Sequence, residues 1–361
     1  MAKTVKIGVV GCGGISNAKH FPYIKRNGNF EVVACCDIIE EKAQMAAKNH
    51  GIEGARVYTD YKELLEKETE VEAIYVLTPN KSHSFISVDA MHAGKHVLCE
   101  KPMAINTIEA QKMVDAAKET GKILTIGYQN RYSDQAQYLK KSCEEGELGE
   151  IYYGKAHALR RRGVPTWGVF LNEEEQGGGP LIDIGTHALD LTLYMMDNYE
   201  VESVTGSVFY KLKDIEEQGN PFGYWDPKKY TVEDSAMGFI KMKNGATIQL
   251  EASWALNTLD VREAQTSLCG TKAGADMKDG LTINYVKHNK LCVEKPDIKG
   301  VGVAFFDAKS KQAEDYEQET FYNAIVNGGG LCVKPEQAIV VTKVLEAIYE
   351  SSKSGKTVYF D

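Results

Sequence analysis

Short β-branched runs alternate with helical patterns through the first third of the chain, and this alternation constrains the fold more than any other feature. The runs cover residues 5–10, 31–36, 56–58, 73–77, 96–99 and 123–126. Helical patterns lie between them at residues 40–50, 82–93 and 108–120, and each of these is followed by a glycine. Strands that alternate with helices require crossover connections, so the pattern predicts an α/β fold with a parallel, doubly wound sheet.

A glycine-rich turn follows the first predicted strand. Gly11 permits the tight turn, Gly13 lets a pyrophosphate approach the backbone, and Ser16 is small enough for close helix–strand packing. Free N–H groups at the start of the next helix would meet the phosphate charge. The predicted dinucleotide-binding residues of this turn are Gly11, Cys12, Gly13, Gly14 and Ile15.

Asp37, at the end of the second predicted strand, is expected to bind the ribose hydroxyls of the dinucleotide. Its alternative role is to cap the helix that follows, and one carboxylate can do both. A carboxylate at this position would repel a 2′-phosphate. The sequence therefore favours NAD over NADP.

Two further segments end strands at the same predicted edge of the sheet. Thr78-Pro79-Asn80 follows the fourth strand, with His83 one turn into the next helix, and Glu100-Lys101-Pro102 follows the fifth. Open α/β sheets bind their ligands at this edge, which makes Asn80 and His83 candidates for cofactor contacts and leaves Thr78 as a turn residue or a ligand. A lysine there predicts catalysis on a molecule beside the dinucleotide, with Pro102 fixing the backbone after it.

The pattern changes after Tyr128. Helical and strand-like stretches at 133–143 and 151–159 precede a loop rich in Gly, Glu and Pro, and one helix is predicted over 181–196. Alternating runs near 201–210, 232–242, 246–255 and 260–269 predict a large, mostly antiparallel sheet, interrupted by a polar excursion over 214–230. Helices near 311–326 and 335–352 and a strand at 358–360 end the chain. We therefore predict a nucleotide-binding domain over 1–127 and an α/β domain over 128–361.

The helix that begins at Leu181 carries the second candidate constellation. Asp183 and His187 are four residues apart and share a helix face, with Asp190 three residues further on. An aspartate one turn before a histidine orients the imidazole and raises its basicity, as a general base near neutral pH requires. The alternatives are a metal site, for which no third ligand cluster is evident, and a purely structural histidine. The presence of Lys101 favours catalysis.

Charge and cysteine content exclude several classes of partner and location. The chain has 42 Lys and Arg against 51 Asp and Glu, and its net charge of -9 argues against nucleic acid or an anionic membrane as partner. No apolar run approaches the ~20 residues that span a bilayer. The amino terminus runs straight into a strand, which leaves no room for a signal peptide. Eight scattered cysteines without metal-ligand spacing predict reduced thiols in a cytoplasm.

Taken together, these motifs resemble the glucose–fructose oxidoreductase, inositol dehydrogenase and rhizopine-catabolism (Gfo/Idh/MocA) family. The matching pieces are the turn over 11–16, Thr78-Pro79-Asn80 with His83, Glu100-Lys101-Pro102, and residues 179–183 with Gly185, His187 and Asp190. Asn130-Arg131 and Gly146-x-Leu148-Gly149 also fit the family pattern. The motifs span residues 8–190 in the family's order, and the carboxyl-terminal half matches in general layout.

The resemblance implies a Rossmann domain followed by an α/β domain with an open sheet, in a homodimer or homotetramer. It implies that Lys101 and His187 flank the reacting hydroxyl and that Asp183 pairs with His187. Relatives commonly oxidise a ring hydroxyl of a sugar, glycoside or inositol with NAD(P). In the scheme that follows, a carbinol carbon gives up a hydride, His187 removes the hydroxyl proton, and Lys101 stabilises the developing alkoxide.

Further ligand contacts are expected from residues that the motifs bring in. Glu100 and Asn130 are expected near the cofactor, with Glu100 positioning Lys101 or capping locally. The substrate candidates, besides Lys101, Asp183 and His187, are Arg131, Tyr153, Arg160 and Trp167. Arg160 would select an acidic or hydroxyl-rich substrate, unless it is a solvated strand end. Tyr153 and Trp167 would stack on a sugar face, unless they belong to the core.

Two other functions stay open. In the first, NAD remains bound and is recycled, so that transient oxidation ends in 3-oxo exchange or cleavage of a glycoside. The NAD-using glycosidases of this superfamily have altered pocket motifs, which favours net oxidation here. In the second, the protein is a non-catalytic NAD sensor, which should have lost Lys101 or His187.

Overall fold

The computed structural model describes residues 3–298 and 313–360, which form two compact units. The first unit contains the described residues up to Gln129 together with 313–342. The second contains 130–298 and 343–360. The sequence suggested two contiguous stretches, 1–127 and 128–361, and did not foresee that a late segment belongs to the first unit. A domain boundary at residue 127 stays a prediction.

The first unit has the predicted parallel sheet. Its strands are β1 (Val5–Val10), β2 (Phe30–Cys36), β3 (Arg56–Tyr58), β4 (Ala73–Val76), β5 (His96–Cys99) and β6 (Leu124–Ile126). They lie in the order β3-β2-β1-β4-β5-β6 with parallel pairing throughout. This order reverses between β1 and β4, where doubly wound folds bind their ligands. Nearly every strand residue is buried, because helices cover both faces of the sheet.

Five helices connect these strands. They are α1 (Phe21–Asn27), α2 (Glu40–His50), α3 (Tyr61–Lys67), α4 (His83–His92) and α5 (Thr107–Thr120). A five-residue π-helical segment, Ser16–His20, precedes α1, and a short 3₁₀ turn, Asn80–Ser82, precedes α4. Gly94 and Gly121 follow their helices with φ of 80° and 64°, as expected of helix-stopping glycines.

The second unit is built on a nine-stranded open sheet, as predicted. Its strands are β7 (Ile151–Leu159), β8 (Val201–Phe209), β9 (Ser235–Met242), β10 (Thr247–Ser253), β11 (Arg262–Gly270), β12 (Ala273–Asp276), β13 (Thr282–Lys287), β14 (Lys290–Glu294) and β15 (Val358–Tyr359). Their order is β14-β13-β12-β11-β7-β10-β9-β8-β15. β7 and β10 are parallel, and the other neighbouring pairs in the described sheet are antiparallel.

One face of this sheet carries the helix that holds Asp183 and His187. The helices of this region are α6 (Asp134–Glu144), α7 (Glu173–Gln176) and α8 (Thr186–Met196). The π-helical segment Leu181–Gly185 leads directly into α8. A Cβ atom added to Gly154 of β7 would lie 3.0 Å from the Thr192 side chain of α8, so the glycine lets helix and sheet pack closely.

Two further helices lie between β14 and β15 in the described part of the chain, α9 (Ala313–Asn327) and α10 (Pro335–Ser354). The first two residues of the helix predicted near 311–326 lie outside the described residues. In the first unit, the Phe321 ring of α9 lies 6.2 Å from Phe30 and 6.0 Å from Tyr75, measured between ring centroids. This apolar contact is the physical reason for the late segment's place in the first unit. No helix in the described ranges is long and apolar enough to cross a membrane.

Candidate active site

The glycine turn of the first unit is tightly packed at Gly11 and open at Gly13 and Gly14. Gly11 has φ of 95°, and a Cβ atom there would lie 2.6 Å from the Leu77 carbonyl group, so only glycine fits. The buried Ser16 hydroxyl donates a hydrogen bond to the Gly11 carbonyl at 2.5 Å. A Cβ atom on Gly13 or Gly14 would meet no described atom within 4 Å. The bare backbone therefore leaves the space that a pyrophosphate group needs.

Asp37 holds the same turn from the second strand. One carboxylate oxygen, Oδ2, accepts the Cys12 N–H at 2.8 Å, and the other, Oδ1, accepts the Ile39 N–H at 2.9 Å. An ionised carboxylate has about four acceptor positions, so ribose hydroxyls can bind beside these two donors. The hydrogen bond to Ile39 closes a turn just before α2, whose N-cap is Ile39 itself and has no side-chain capping hydrogen bond. The alternative in which Asp37 caps the helix is therefore not realised, and the ribose contact stays a prediction. The open glycines and this carboxylate together fit an NAD molecule.

Buried charged and polar side chains hold the Glu100-Lys101-Pro102 segment in place. Glu100 Oε1 lies 2.8 Å from Lys19 Nζ and 2.7 Å from His20 Nε2. Its other oxygen, Oε2, accepts the backbone N–H of Lys101 at 3.1 Å. The Lys101–Pro102 peptide bond is cis. Glu100 thus positions the backbone of Lys101, as one of its two expected roles required.

We define the buried cluster as Lys19, His20, Glu100 and Glu317. Lys19 Nζ also lies 3.0 Å from Glu317 Oε2 of α9. Burial opposes the ionisation of Glu100, but Lys19 and His20 hold its pKa well below the usual value. Burial raises the pKa of Glu317 to about 7, with Lys19 opposing the shift. Burial also lowers the pKa of His20. The buried cluster therefore combines the Lys19–Glu100 pair with a carboxyl, Glu317, that titrates near neutral pH.

His83 links two of the loops at this sheet edge. Its side chain is buried, with Nε2 2.8 Å from the Thr78 carbonyl oxygen and Nδ1 2.8 Å from that of Pro102. Burial lowers the pKa of His83. These contacts support a positioning role for His83, and its expected direct contact with the cofactor stays a prediction. Thr78 Oγ1 accepts a hydrogen bond from Ser82, and Asn80 opens the 3₁₀ turn. Cofactor contacts of both residues stay predictions.

In the second unit, Asp183 lies in the π-helical segment and His187 in the first turn of α8. The buried indole of Trp254, just after β10, donates a hydrogen bond to Asp183 Oδ2 at 3.1 Å. His187 is 9% exposed. A π-helical segment within a helix is frequently associated with a functional site. Trp254 therefore fixes the carboxylate that is expected to orient His187, and a direct Asp183–His187 pairing stays a prediction.

Arg131 occupies a different environment from the one expected of a substrate ligand. It is 0% exposed, and its guanidinium makes two hydrogen bonds to Asp190, Nε to Oδ2 at 2.9 Å and Nη2 to Oδ1 at 2.6 Å. The guanidinium also lies over the Tyr194 ring, 4.7 Å from its centroid. These contacts tie the turn at Gln129–Tyr132 to α8 and give Arg131 a structural role, and its expected substrate contact stays a prediction. Asn130 begins the second unit, and its cofactor contact stays a prediction.

Tyr153 is the third residue of β7, and its expected substrate contact stays a prediction. Gly154 faces α8, and side chains alternate along a strand, so Tyr153 points to the opposite face of the sheet. Its hydroxyl donates a hydrogen bond to Gln249 Oε1 at 2.9 Å on that face. Tyr153 therefore lies away from the helix that carries His187.

Arg160 and Trp167 lie on the loop that follows β7. The Arg160 guanidinium is paired with Glu263, with Nε 2.6 Å from Oε2, and it also donates to the Gly163 carbonyl at 2.9 Å. Trp167 is 52% exposed and makes edge contacts with Phe170 and Phe222. Trp167 is thus accessible to a ligand, whereas Arg160 must exchange Glu263 for a substrate. Both substrate contacts stay predictions.

Sequence reasoning missed several residues that contact the candidate residues within each unit, among them Lys19, His20, Trp254 and Glu317. Lys19 and His20 are an adjacent basic pair shortly after the glycine turn, which is a signal that the sequence does contain. Trp254 and Glu317 are brought in by packing between distant segments, which no local pattern reveals. Within residues 3–298 and 313–360, no group of three or more His, Cys, Asp or Glu side chains is arranged to hold a metal ion.

Two consecutive family models match the chain. Residues 5–128 match the oxidoreductase family's NAD-binding Rossmann fold, and residues 140–360 match its carboxyl-terminal alpha/beta domain. The chain belongs to the Gfo/Idh/MocA oxidoreductase family. The predicted family, enzyme class and NAD cofactor are confirmed by these matches.

Individual members of the Gfo/Idh/MocA family give finer comparisons. D-glucoside 3-dehydrogenase of Escherichia coli is 34% identical over 98% of this chain and 97% of its own. Glucose-6-phosphate 3-dehydrogenase of Bacillus subtilis is 31% identical over 69% of this chain and 67% of its own. The structure of levoglucosan dehydrogenase with NADH and L-sorbose superposes with a TM-score of 0.83, covers both chains completely and is 21% identical. This last likeness shows the shared fold.

Proposed function

We propose that this protein oxidises a ring hydroxyl of a sugar, with NAD as the acceptor, and that a D-glucoside is its preferred class of substrate. The observation that carries the proposal is that hydrogen bonds hold both Lys101 and Asp183 in place. Glu100 holds the backbone of Lys101, and Trp254 holds the carboxylate of Asp183. The relatives from Escherichia coli and Bacillus subtilis are both named as sugar 3-dehydrogenases. Position 3 of the ring is therefore the expected site of oxidation.

The residues proposed to hold the cofactor surround the glycine turn. Gly11, Cys12, Gly13, Gly14 and Ile15 would contact the pyrophosphate, and Asp37 the ribose. NAD, when bound, supplies the acceptor for the hydride that leaves the carbinol carbon. Asp37 would repel a 2′-phosphate, which favours NAD over NADP.

The chain's own side chains would handle the proton and the charge. We assign His187 as the general base that takes the hydroxyl proton at a ring nitrogen, with Asp183 orienting the imidazole. Lys101 would donate a hydrogen bond to the same hydroxyl oxygen and stabilise the negative charge that develops there. Glu100, His83 and Trp254 act through Lys101 and Asp183 as positioning residues.

The experiment that tests this function incubates the purified protein with NAD, and separately with NADP, over a panel of glucosides, free sugars and inositols. Nicotinamide reduction is followed by near-ultraviolet absorbance. We expect reduction with NAD and a glucoside, and less with NADP. Silence over the whole panel, with NAD released when the protein is denatured, would favour the alternative in which the cofactor stays bound and is recycled.

Two further properties are proposed with this activity. A homodimer or homotetramer is expected, and light scattering of the purified protein measures its mass. A cytoplasmic location is expected, and fractionation of the source cells measures it.

A further inference from the structure

We propose that Glu233 is a positioning residue for the helix that carries Asp183 and His187. Glu233 lies just before β9, 50 residues after Asp183 in the sequence, and it belongs to no motif of the family resemblance. It is 1% exposed. The inference rests on the proposed function, because it assigns Glu233 a part in the same reaction.

Three hydrogen bonds define the environment of the Glu233 carboxylate. Oε2 accepts the Gly179 N–H at 2.7 Å, and Oε1 accepts the Leu181 N–H at 3.0 Å. The Tyr349 hydroxyl donates to Oε1 at 2.9 Å. One carboxylate thus binds two N–H groups on either side of Pro180, at the point where the helix begins.

This start of the helix depends on a carboxylate from elsewhere in the chain. The first N–H groups of any helix have no intrahelical acceptor, and negative charge is favourable there. The residue before the helix, Pro180, supplies no side-chain hydrogen bond. Glu233 supplies this negative charge from a distant part of the sequence. It binds the Leu181 N–H, and Leu181 is two residues before Asp183 in the helix.

The glycine run before the helix is shaped around Glu233 and Tyr349. A Cβ atom on Gly178 would lie 2.1 Å from the Tyr349 hydroxyl oxygen, and one on Gly179 would lie 2.4 Å from the Glu233 carbonyl oxygen. Side chains at these positions would displace the carboxylate from the helix start. The absence of side chains at Gly178 and Gly179 therefore lets Glu233 and Tyr349 approach the helix start.

The protonation state of Glu233 decides how many donors it can bind. Burial raises the pKa of Glu233 to about 7, while the Gly179 and Leu181 N–H groups and the Tyr349 hydroxyl oppose the shift. Tyr210 and Tyr230 also interact electrostatically with Glu233, and the charges of Asp234 and Glu173 act on the same group of tyrosines. The ionised form accepts both N–H groups, whereas the neutral acid has one oxygen occupied by its own proton. The helix start should therefore tighten as pH rises through about 7.

The first test compares Glu233→Gln with Asp234→Asn. The adjacent Asp234 is a matched control, because its Oδ2 accepts two backbone N–H groups, from Lys211 and Leu212, at a different turn. With saturating NAD and a glucoside, E233Q should lower kcat by about 10- to 100-fold, as a small misplacement of catalytic groups does. Its NAD affinity should stay within about twofold, and D234N should keep both quantities.

Amide hydrogen exchange supplies a readout that does not depend on turnover. Residues 177–186 should exchange faster in E233Q than in the wild type, and the same peptide in D234N should not. A normal exchange rate and normal kcat in E233Q would overturn the proposal. A loss of kcat with unchanged exchange would also overturn it, because the helix start would then be intact.

Tyr349→Phe keeps the inference testable even if E233Q fails to fold. Removing the hydroxyl removes one hydrogen bond that favours the ionised Glu233, so the acidic limb of the kcat–pH profile should move to higher pH. An unmoved limb in Y349F would overturn the proposal. His187→Ala distinguishes a failure of the proposed function from a failure of the role assigned to Glu233. If H187A stays active, the proposed function fails, whereas an inactive H187A beside a normal E233Q and Y349F contradicts the role of Glu233 alone.

Discussion

Gly11 and Gly14 serve different purposes within one turn. At Gly11 the backbone is left-handed and presses against the Leu77 carbonyl group, so the residue is required for folding. At Gly14 the space above the backbone is open among the described atoms, so the residue is required for ligand approach. The same amino acid therefore affects stability at one position and NAD affinity at the other.

We expect Gly11→Ala to lower the free energy of unfolding by about 2 kcal/mol or more, from left-handed strain and the clash with Leu77. Gly14→Val should change the free energy of unfolding by less than about 1 kcal/mol and weaken NAD binding at least tenfold. Urea denaturation and fluorescence titration with NAD measure the two effects. Equal loss of stability in both variants would contradict this division of roles.

Arg131 and Asp190 are a buried pair, and burial raises the pKa of Asp190 against the opposing effect of Arg131. Arg131→Met should lower the free energy of unfolding by about 3–5 kcal/mol, because it leaves a buried carboxyl without its partner. The exposed Arg161 is the control, and Arg161→Ala should cost less than about 0.5 kcal/mol. A raised KM with unchanged stability in R131M would instead support the substrate contact that the sequence predicted for Arg131.

At the scale of elements, the functional loops are held by carboxylates that come from elsewhere in the chain. Glu100 pairs with Lys19 and His20 of the π-helical segment, and Glu317 of α9 reaches the same lysine. These contacts join the glycine turn, the end of β5 and a helix from the last part of the sequence. Ionisation within the cluster should therefore affect the whole sheet edge.

Glu317 gives a pH dependence with a definite sign. Its folded pKa, about 7, lies above the ordinary value of 4.5. The unfolded chain therefore releases this proton first, and the stability contributed by the neutral carboxyl is present below pH 4.5 and lost as pH rises to about 7. Wild-type protein should lose stability relative to Glu317→Gln over this range, measured by urea denaturation from pH 5 to 8.

Glu68 is a control of opposite sign. The hydrogen bonds from Arg56 lower the pKa of Glu68, so its contribution is present above pH 4.5 and lost as pH falls. Glu68→Gln should therefore differ most from wild type at neutral pH. A difference between wild type and E317Q that does not change with pH would contradict the raised pKa of Glu317.

The sequence predicted elements well where the information is local. Residues 56–58, 40–50 and 151–159 are a strand, a helix and a strand with the predicted bounds, because side-chain periodicity decides each of them. Gly51 follows α2, as the sequence analysis noted, and its φ of -74° is not left-handed. A Cβ atom there would lie 2.4 Å from the Ala55 Cβ, so glycine is needed for close packing.

Features that depend on distant partners were not predictable. The parallel pairing of β7 with β10 joins strands that 87 other residues separate, from Leu159 to Thr247, and their own patterns do not name a partner. The π-helical segments at Ser16–His20 and Leu181–Gly185 insert into helices whose apolar spacing looks ordinary. Motif residues can be proposed from the sequence because spacing marks them, whereas Trp254 and Glu233 contact the helix that carries Asp183, and Glu317 contacts Lys19, only through tertiary packing.

At the scale of the whole molecule, the first unit is completed by residues from the last part of the chain. Phe321 is 0% exposed and packs with Phe30 and Tyr75, and the Tyr322 hydroxyl donates to the Lys3 carbonyl. The stretch up to Gln129 therefore does not contain the whole core of the NAD-binding unit. Stability of this unit should depend on α9.

Phe321→Ala should destabilise the first unit by about 3–5 kcal/mol, the usual result of emptying a core site of an aromatic ring. The urea midpoint at which NAD binding is lost measures this unit directly. Asn323, exposed on the same helix, is the control, and Asn323→Ala should shift the midpoint little. An F321A protein with an unchanged midpoint would show that the unit folds without α9.

The central claim is that Lys101 and His187 support oxidation at one hydroxyl of a sugar ring. The most direct test compares methyl β-D-glucoside with its 3-deoxy analogue at saturating NAD, in the wild type and in Lys101→Ala and His187→Ala. We predict nicotinamide reduction with the glucoside alone, and a loss of about 10²-fold or more in each variant. Equal rates with the 3-deoxy analogue, or near-normal turnover in Lys101→Ala, would contradict the account.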